Sequence, residues 1–313
     1  MLIYTLKKIT TGIVLFLIAS FTTMWLLSFS FESIVATRLG MGATPENVAA
    51  MMEQHGLDRP ILIQYVDWLG NLLQGDLGRS FFTQEVVASA IGPRITTTLS
   101  VVLPALAAAG VGAVLLGVVA AYRGGWVDKV AQGAMLLGHL VPGLLIAIFL
   151  VNILAVNLGW LPATGFVRFT DDPAGWARSI AIPFITLFVG GSANMANQVR
   201  GTMIDELRKD YVRTLRTAGV SPRAILLRHA LRNAIGPAIT VLGLQFITMF
   251  GGALIIEAVF ALPGYGTFAF NAAMQGDFPV ILGLSAVGVG LTVGVNLLVD
   301  LANGWLNPKA RAY

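Results

Sequence analysis

The side chains that could carry out chemistry are few, and most lie within apolar stretches. Gly190-Gly191-Ser192 resembles the small-residue setting of an intramembrane serine nucleophile, which would need a histidine as its base. Of the three histidines, only His139 also lies in an apolar stretch, whereas His55 and His229 fall in polar segments. Because a Gly-Gly-Ser stretch is also ordinary helix-packing material, we expect no catalytic residues in this chain.

The sequence also gives little support for a metal site or a nucleotide-binding site. The chain has no cysteine, so disulfides and thiolate metal sites are excluded. No His/Glu pair stands at the helical spacing of a metalloprotease, and no Gly-x4-Gly-Lys-Ser/Thr phosphate loop occurs. We therefore expect no metal site and no cofactor in this chain, and any ATP must bind to another polypeptide.

Neutral polar side chains within apolar stretches are the remaining candidates, because their exposure to lipid is unfavourable. Asn194 and Asn197 are three residues apart on one helical face, and Gln245 lies in another apolar stretch. These three residues could line a path for a polar solute such as a peptide, or they could hold neighbouring helices together. Glu257 and Asp300 stand near the ends of their stretches, where a structural hydrogen bond or ion pair is the better interpretation.

The elements that hold these side chains are apolar stretches long enough to cross a membrane. The chain has 313 residues, 56% hydrophobic and only 12% charged, whereas soluble domains carry about 25% charged residues. A helix needs about 20 apolar residues to span the bilayer core. We predict an all-α polytopic membrane protein, a single transmembrane domain over 1–313, with about six spans: 9–31, 97–122, 131–155, 179–199, 237–261 and 278–301. The first is interpreted as an uncleaved anchor.

The charge distribution predicts the orientation of the chain. The formal net charge is +4, which we attribute to cytoplasmic loops and not to a nucleic-acid partner. With the N-terminus inside, fourteen of the 20 lysines and arginines fall on the cytoplasmic side. Both termini are therefore predicted to be cytoplasmic.

Two segments between spans are too patterned to be simple connections. Residues 32–96 include Ala49–Gln54 in helical periodicity, the amphipathic stretch Ile61–Leu73 and a turn at Gly75–Gly78. We predict that this segment forms an extracytoplasmic cap loop. Its tryptophan and tyrosine could mark the membrane interface, or they could belong to a docking surface for an outside partner.

The second patterned segment, 200–237, is called the 200–237 loop below. Apolar residues from Met203 to Ala218 recur at helical spacing, and Gly219 is suited to end that helix. Ser221 and Pro222 then predict the N-cap and first turn of a second helix, with Leu227 on its apolar face and Ile225 among polar residues. Two amphipathic helices could lie on lipid headgroups or insert into a groove of another protein, and periodicity leaves both open.

The string DYVRTLRTAGVSPRAILLRHALRNAIGP, Asp210 to Pro237, is the most distinctive part of the chain. It resembles the cytoplasmic coupling loop of permeases in the oligopeptide, dipeptide and nickel branch of ABC importers, with Gly219 at the glycine of the motif. The wider superfamily has a glutamate where this chain has Arg213 and a proline where it has Arg232, and both departures are usual for this branch.

Other stretches extend the resemblance over nearly the whole chain. Gly56–Ser80 is similar to the family's first outside loop, Glu257–Gly266 to the exit of its fifth span, and Asn307–Arg311 to its basic tail. The usual Gly-Asp-Pro after the first span is missing, and Gly40-Met41-Gly42 stands nearby instead.

The resemblance implies the type I ABC importer permease fold in the bacterial cytoplasmic (inner) membrane. It also implies four kinds of partner: a second homologous permease, two ATPase subunits that bind ATP and Mg²⁺, an extracytoplasmic substrate-binding protein, and membrane lipid. The residues expected to contact the ATPase are Arg213, Thr214, Ala218, Gly219, Pro222, Ile225, Leu226, His229, Ala230 and Asn233.

The function implied by the resemblance is ATP-driven import of di- or oligopeptides. Nickel and glutathione importers belong to the same branch and are the alternative substrates. An ATP-independent secondary transporter is a more distant alternative, since such proteins usually show inverted repeats and embedded charges that this sequence lacks.

Overall fold

The computed structural model describes residues 2–306, with only the backbone described at Leu2, Ile235 and Leu306. The basic tail Asn307–Arg311 therefore lies outside the described residues. The helices in chain order are α1 (Leu2–Ser28), α2 (Phe31–Leu39), α3 (Pro45–Gln54), α4 (Ile61–Leu73), α5 (Val87–Arg123), α6 (Gly125–Leu140), α7 (Gly143–Leu150), α8 (Pro173–Leu207), α9 (Asp210–Thr217), α10 (Pro222–Ala224), α11 (Leu231–Phe260), α12 (Tyr265–Gln275) and α13 (Phe278–Leu306). A 3₁₀ turn covers Gly40–Gly42, and π-helical turns cover Val151–Asn157 and Ile225–Ala230.

The predicted all-α, polytopic architecture is confirmed. Among residues 2–306, five helices are long and apolar enough to cross a membrane: Ile3–Ser28 within α1, then α5, α8, Gly236–Phe260 within α11, and Phe278–Trp305 within α13. A sixth span results if the bent pair Gly125–Leu140 and Gly143–Asn157 counts as one. Each of these segments overlaps one of the six predicted spans.

The third predicted span, 131–155, is not one straight helix. Its two halves meet at an angle of 96°. The break falls at Val141 and Pro142, whose ψ angles of 119° and 134° are extended. Proline lacks the N–H that would continue the helix, and its ring disfavours helical geometry in the preceding residue. Pro183, by contrast, is accommodated within α8.

The described residues form two compact units, one of residues 97–262 with 298–306 and one of Leu2–Thr96 with Pro263–Leu297. The single domain over 1–313 stays a prediction. In the first unit, α8 packs against α5, α6 and α11. A Cβ atom on Gly117 would lie 2.9 Å from the carbonyl oxygen of Ala196, so α5 and α8 approach closely only because glycine stands there. Glu257, 2% exposed, accepts a hydrogen bond from the Thr98 hydroxyl, as the structural interpretation of its position predicts.

In the second unit, the segment 32–96 is largely helical. Helix α4 begins and ends at the residues that periodicity predicts, and α3 contains the predicted Ala49–Gln54. Thr44 caps α3, its side chain accepting the Asn47 N–H at 3.3 Å. Tyr65 of α4 is buried, and its hydroxyl lies 2.9 Å from the Ser20 hydroxyl and 3.1 Å from the Leu17 carbonyl of α1. The side of the membrane on which this segment lies stays a prediction.

Asp277, the residue before α13, binds the turn at 80–83 in the segment 32–96. Its carboxylate is 4% exposed and accepts hydrogen bonds from the Ser80 hydroxyl and, at 2.9 Å, from the Phe81 N–H. Ser80 in turn accepts the N–H groups of Phe82 and Thr83, which closes a tight turn. This buried carboxylate thus connects the turn at 80–83 to the start of α13.

We expect Asp277→Ala to release the turn at 80–83, because two buried donors lose their acceptor at about 1–3 kcal/mol each. Limited proteolysis of the purified chain in detergent should show faster cleavage within residues 78–86. Glu85→Gln is the matched control, since Glu85 lies in the same segment but is exposed. Equal cleavage rates in the two variants would contradict this role for Asp277.

Candidate functional site

The 200–237 loop is built from three helical pieces. Helix α8 continues through Leu207, the chain turns at Arg208 and Lys209, and α9 follows. The prediction of one helix from Met203 to Ala218 is therefore wrong. The turn lets Tyr211 reach the Glu206 carboxylate, whereas on a straight helix a residue five positions on would face a different side.

The predicted junction between the two loop helices is confirmed. Gly219 has φ +76°, the left-handed conformation that glycine adopts most readily. The Val220 N–H donates to Leu215 and the Gly219 N–H to Arg216, the paired bonds of a Schellman motif. Ser221 then accepts the Ala224 N–H at 3.4 Å and Pro222 occupies the first turn, as predicted.

The helix that starts at Pro222 is not separate from the fifth span. A π-helical turn at Ile225–Ala230 connects α10 directly to α11. Ile225 is 3% exposed and Leu227 is 59% exposed, so the predicted apolar face is wrong at both positions. The prediction assumed 3.6 residues per turn, and a π-helical turn is wider and shifts the side chains around the axis.

The residues expected to contact the ATPase fall into three groups by exposure. Leu226 and His229 are half-buried, whereas Ile225 and Ala230 are buried within this chain. Ala230 packs in a cluster that includes Val199 of α8. The exposed group, which a partner could contact directly, consists of Arg213, Thr214, Ala218, Gly219, Pro222 and Asn233.

A buried carboxylate that the sequence did not single out holds the loop together. Glu206 is 4% exposed and accepts the Tyr211 hydroxyl at 3.0 Å and the Asn233 amide at 2.8 Å. It also pairs with Lys209, and this hydrogen bond raises the pKa of the Lys209 ammonium. Burial raises the pKa of Tyr211, which keeps its hydroxyl protonated as a donor. An acid three residues before a lysine was the available signal.

The three residues predicted to line a polar path, Asn194, Asn197 and Gln245, do not lie in one place. Asn194 and Asn197 are exposed and line a groove of about 340 Å³ between α6 and α8, with Gln132 and His139 on its other side. Gln245 is 8% exposed on α11, and its amide would lie 3.3 Å from a Cβ atom on Gly191. Gln245 thus faces the packed interior of α8 and α11, whereas the two asparagines face outward.

Two family models together match almost the whole chain. Residues 113–312 match the family described as "Binding-protein-dependent transport system inner membrane component", and residues 1–102 match its N-terminal family. The chain belongs to this family. It is therefore a permease subunit of an ABC importer, a multi-pass inner-membrane protein that works with ATPase and binding-protein partners.

Curated relatives match the permease over almost its whole length. A putative peptide transport system permease protein of Brucella abortus is 37% identical, with 98% of each chain covered. A probable peptide ABC transporter permease protein of Sinorhizobium fredii is 35% identical over 99% of each chain. The di/tripeptide transport system permease protein DppB of Pseudomonas aeruginosa is 33% identical, over 94% of this chain and 96% of its own.

Ser192 of the permease is a packing residue. Its hydroxyl donates to the Val189 carbonyl at 3.2 Å, and the side chain is 6% exposed. It does not line the groove that contains His139. Its Cβ instead lies 4.0 Å from where a Cβ on Gly112 of α5 would stand. Family membership agrees, since this family consists of transport subunits and ATP hydrolysis lies in separate subunits.

Proposed function

We propose that this permease forms half of the translocation path of an ATP-driven importer of di- or oligopeptides. The observation that carries the proposal is the 200–237 loop, which offers an exposed face around Gly219 on a turn whose geometry is fixed from inside. The names of the relatives from three organisms support peptides as the substrate class.

In this proposal the loop is cytoplasmic and transmits force from an ATPase to the spans. Two ATPase subunits bind ATP and Mg²⁺, and one of them docks on the exposed residues around Gly219. Because α11 continues without interruption from the π-helical turn, a displacement of the loop moves the fifth span as well. ATP binding and release would then bias a two-state change in which the path opens to one side or the other.

The second half of the path comes from a homologous permease. The groove with Asn194 and Asn197 supports this arrangement, because exposed amides on a membrane span are unfavourable against lipid and suit a polar path between two subunits. The segment 32–96 would face outward, toward the binding protein. Both chain termini would lie in the cytoplasm, as the distribution of basic residues predicts.

The test is an affinity purification of this chain from native membranes in mild detergent, followed by reconstitution and uptake of a labelled dipeptide. We expect a second six-span permease and ATPases to co-purify, and uptake to require ATP inside and the binding protein outside. Uptake of the same dipeptide without ATP would overturn the proposal in favour of a secondary transporter. Recovery of the chain alone, while comparable complexes stay intact, would also count against it.

A further inference from the structure

A cavity of about 590 Å³ lies where α5 ends, α6 begins and α8 passes into the 200–237 loop. Its volume is in the range of small-molecule sites. All of its lining belongs to one compact unit. The charged groups on its wall are three arginines and one aspartate: Arg200, Arg208, Arg216 and Asp128.

The aspartate is already neutralised within the wall. Arg200 Nε and Nη2 both donate to the Asp128 carboxylate, whose side chain is 17% exposed. The Gln132 amide donates to the same carboxylate at 2.9 Å. A bidentate pair of this kind engages two of the five N–H groups of a guanidinium. Because this pair has no net charge, the net charge of the cavity wall comes from the other two arginines, Arg208 and Arg216.

Arg208 and Arg216 are exposed side chains at the cavity wall. Within residues 2–306, neither has an ion-pair partner. Two acidic residues are nearest in sequence to Arg208. Glu206 directs its carboxylate to Lys209, Tyr211 and Asn233. The carboxylate of Asp210 lies 3.9 Å from the guanidinium of Arg213. The cavity wall thus carries two cations with which no carboxylate of residues 2–306 forms an ion pair, since Asp128 pairs with Arg200.

We propose that this cavity binds a phosphate group through Arg208 and Arg216. Guanidinium groups present paired donors that match phosphate oxygens, and two of them on the wall of one cavity favour a phosphate over a single carboxylate. The remaining wall includes apolar side chains such as Ile204, Leu207 and Leu226, which suit the carbon skeleton of a phosphate ester. Inorganic phosphate alone would leave that apolar part unfilled.

The position of the cavity favours the headgroup of an anionic phospholipid as the source of the phosphate. It lies at the ends of the membrane-crossing helices α5 and α8, where headgroups are found. Basic pockets between span ends are known to suit anionic headgroups. A soluble phosphate ester shares the chemistry and is the other source that the experiment must distinguish.

The experiment measures binding to the full permease, purified in detergent, by native mass spectrometry and by thermal unfolding. The probes are dioleoylphosphatidylglycerol, glycerol 3-phosphate and, as the phosphate-free control, dioleoylglycerol. We expect phosphatidylglycerol to bind and raise the unfolding midpoint. Arg208→Gln/Arg216→Gln should weaken this binding by at least about tenfold, since each charge-assisted hydrogen bond lost is worth about that factor.

Arg223→Gln/Arg228→Gln is the matched control, because both arginines are exposed on the same loop and neither lines the cavity. The single variant Arg216→Gln, with a smaller loss expected, provides the measurement if the double variant folds poorly. Binding of glycerol 3-phosphate with the same dependence on the two arginines would support the site and assign it to a soluble ester. Equal binding of dioleoylglycerol, or an equal loss in the control variant, would overturn the proposal.

Discussion

Gly219→Trp is expected to reduce ATP-driven peptide uptake by at least about tenfold while membrane insertion stays normal. Two effects combine at this position. A residue with a Cβ atom at φ +76° is strained by about 1–2 kcal/mol, which alone corresponds to about a factor of ten in an equilibrium. The indole also projects from an exposed turn, where the proposed ATPase contact lies.

The two effects can be separated with a second variant. Gly219→Asn introduces a residue that tolerates the left-handed conformation and adds little bulk. No heavy atom beyond the two neighbouring residues in the chain lies within 4 Å of a Cβ atom at this position. We expect Gly219→Asn to retain most of the uptake. The measurement is uptake of a labelled dipeptide into proteoliposomes that contain the whole transporter, together with ATP hydrolysis. Unchanged uptake in Gly219→Trp would refute the placement of the ATPase contact at this turn.

Glu206→Ala is expected to have the largest effect on the stability of the loop. The substitution removes the acceptor of the Tyr211 hydroxyl, the nearer of the two acceptors of the Asn233 amide, and the ion pair of Lys209. The Tyr211 hydroxyl belongs to a half-buried side chain, and leaving a buried donor unsatisfied costs about 1–3 kcal/mol. We expect the unfolding midpoint of the purified permease to fall by about 5 °C or more and ATP-driven uptake to be lost.

Two variants make this prediction specific. Asp205→Ala removes the neighbouring exposed acid and should leave both the midpoint and the uptake unchanged. Glu206→Gln keeps a carbonyl oxygen as acceptor but loses the charge, so we expect an intermediate loss. If Glu206→Ala unfolds at the same temperature as Asp205→Ala, the carboxylate does not hold the loop together.

Local patterns in the sequence predicted local structure well. Residues Gly219, Ser221 and Pro222 predicted the helix end and the next helix start, because a left-handed residue, a side-chain cap and a fixed proline φ act within a few residues. The span-length apolar stretches predicted the membrane helices for a similar reason, since crossing the bilayer depends on length and composition.

Local patterns failed where the geometry departs from a regular helix. Pro142 bends the third span by 96°, although proline elsewhere in the chain is accommodated within a helix. The π-helical turn at Ile225–Ala230 buries Ile225 and exposes Leu227, because the face that a side chain occupies depends on the number of residues per turn. The position of a proline in the sequence does not show whether the helix bends there, and helical periodicity does not show where a π-helical turn forms.

The sequence by itself determined the membrane architecture, the family and the turn at Gly219. Only the tertiary structure decided which polar residues act together. It placed Asn194 and Asn197 in an outward groove and Gln245 inside, and it gathered around Glu206 donors from α9 and α11. The physical reason is that a buried carboxylate must be satisfied by hydrogen-bond donors, and one donor to Glu206, the Asn233 amide, lies 27 residues further along the chain. Helix packing brings these two positions together.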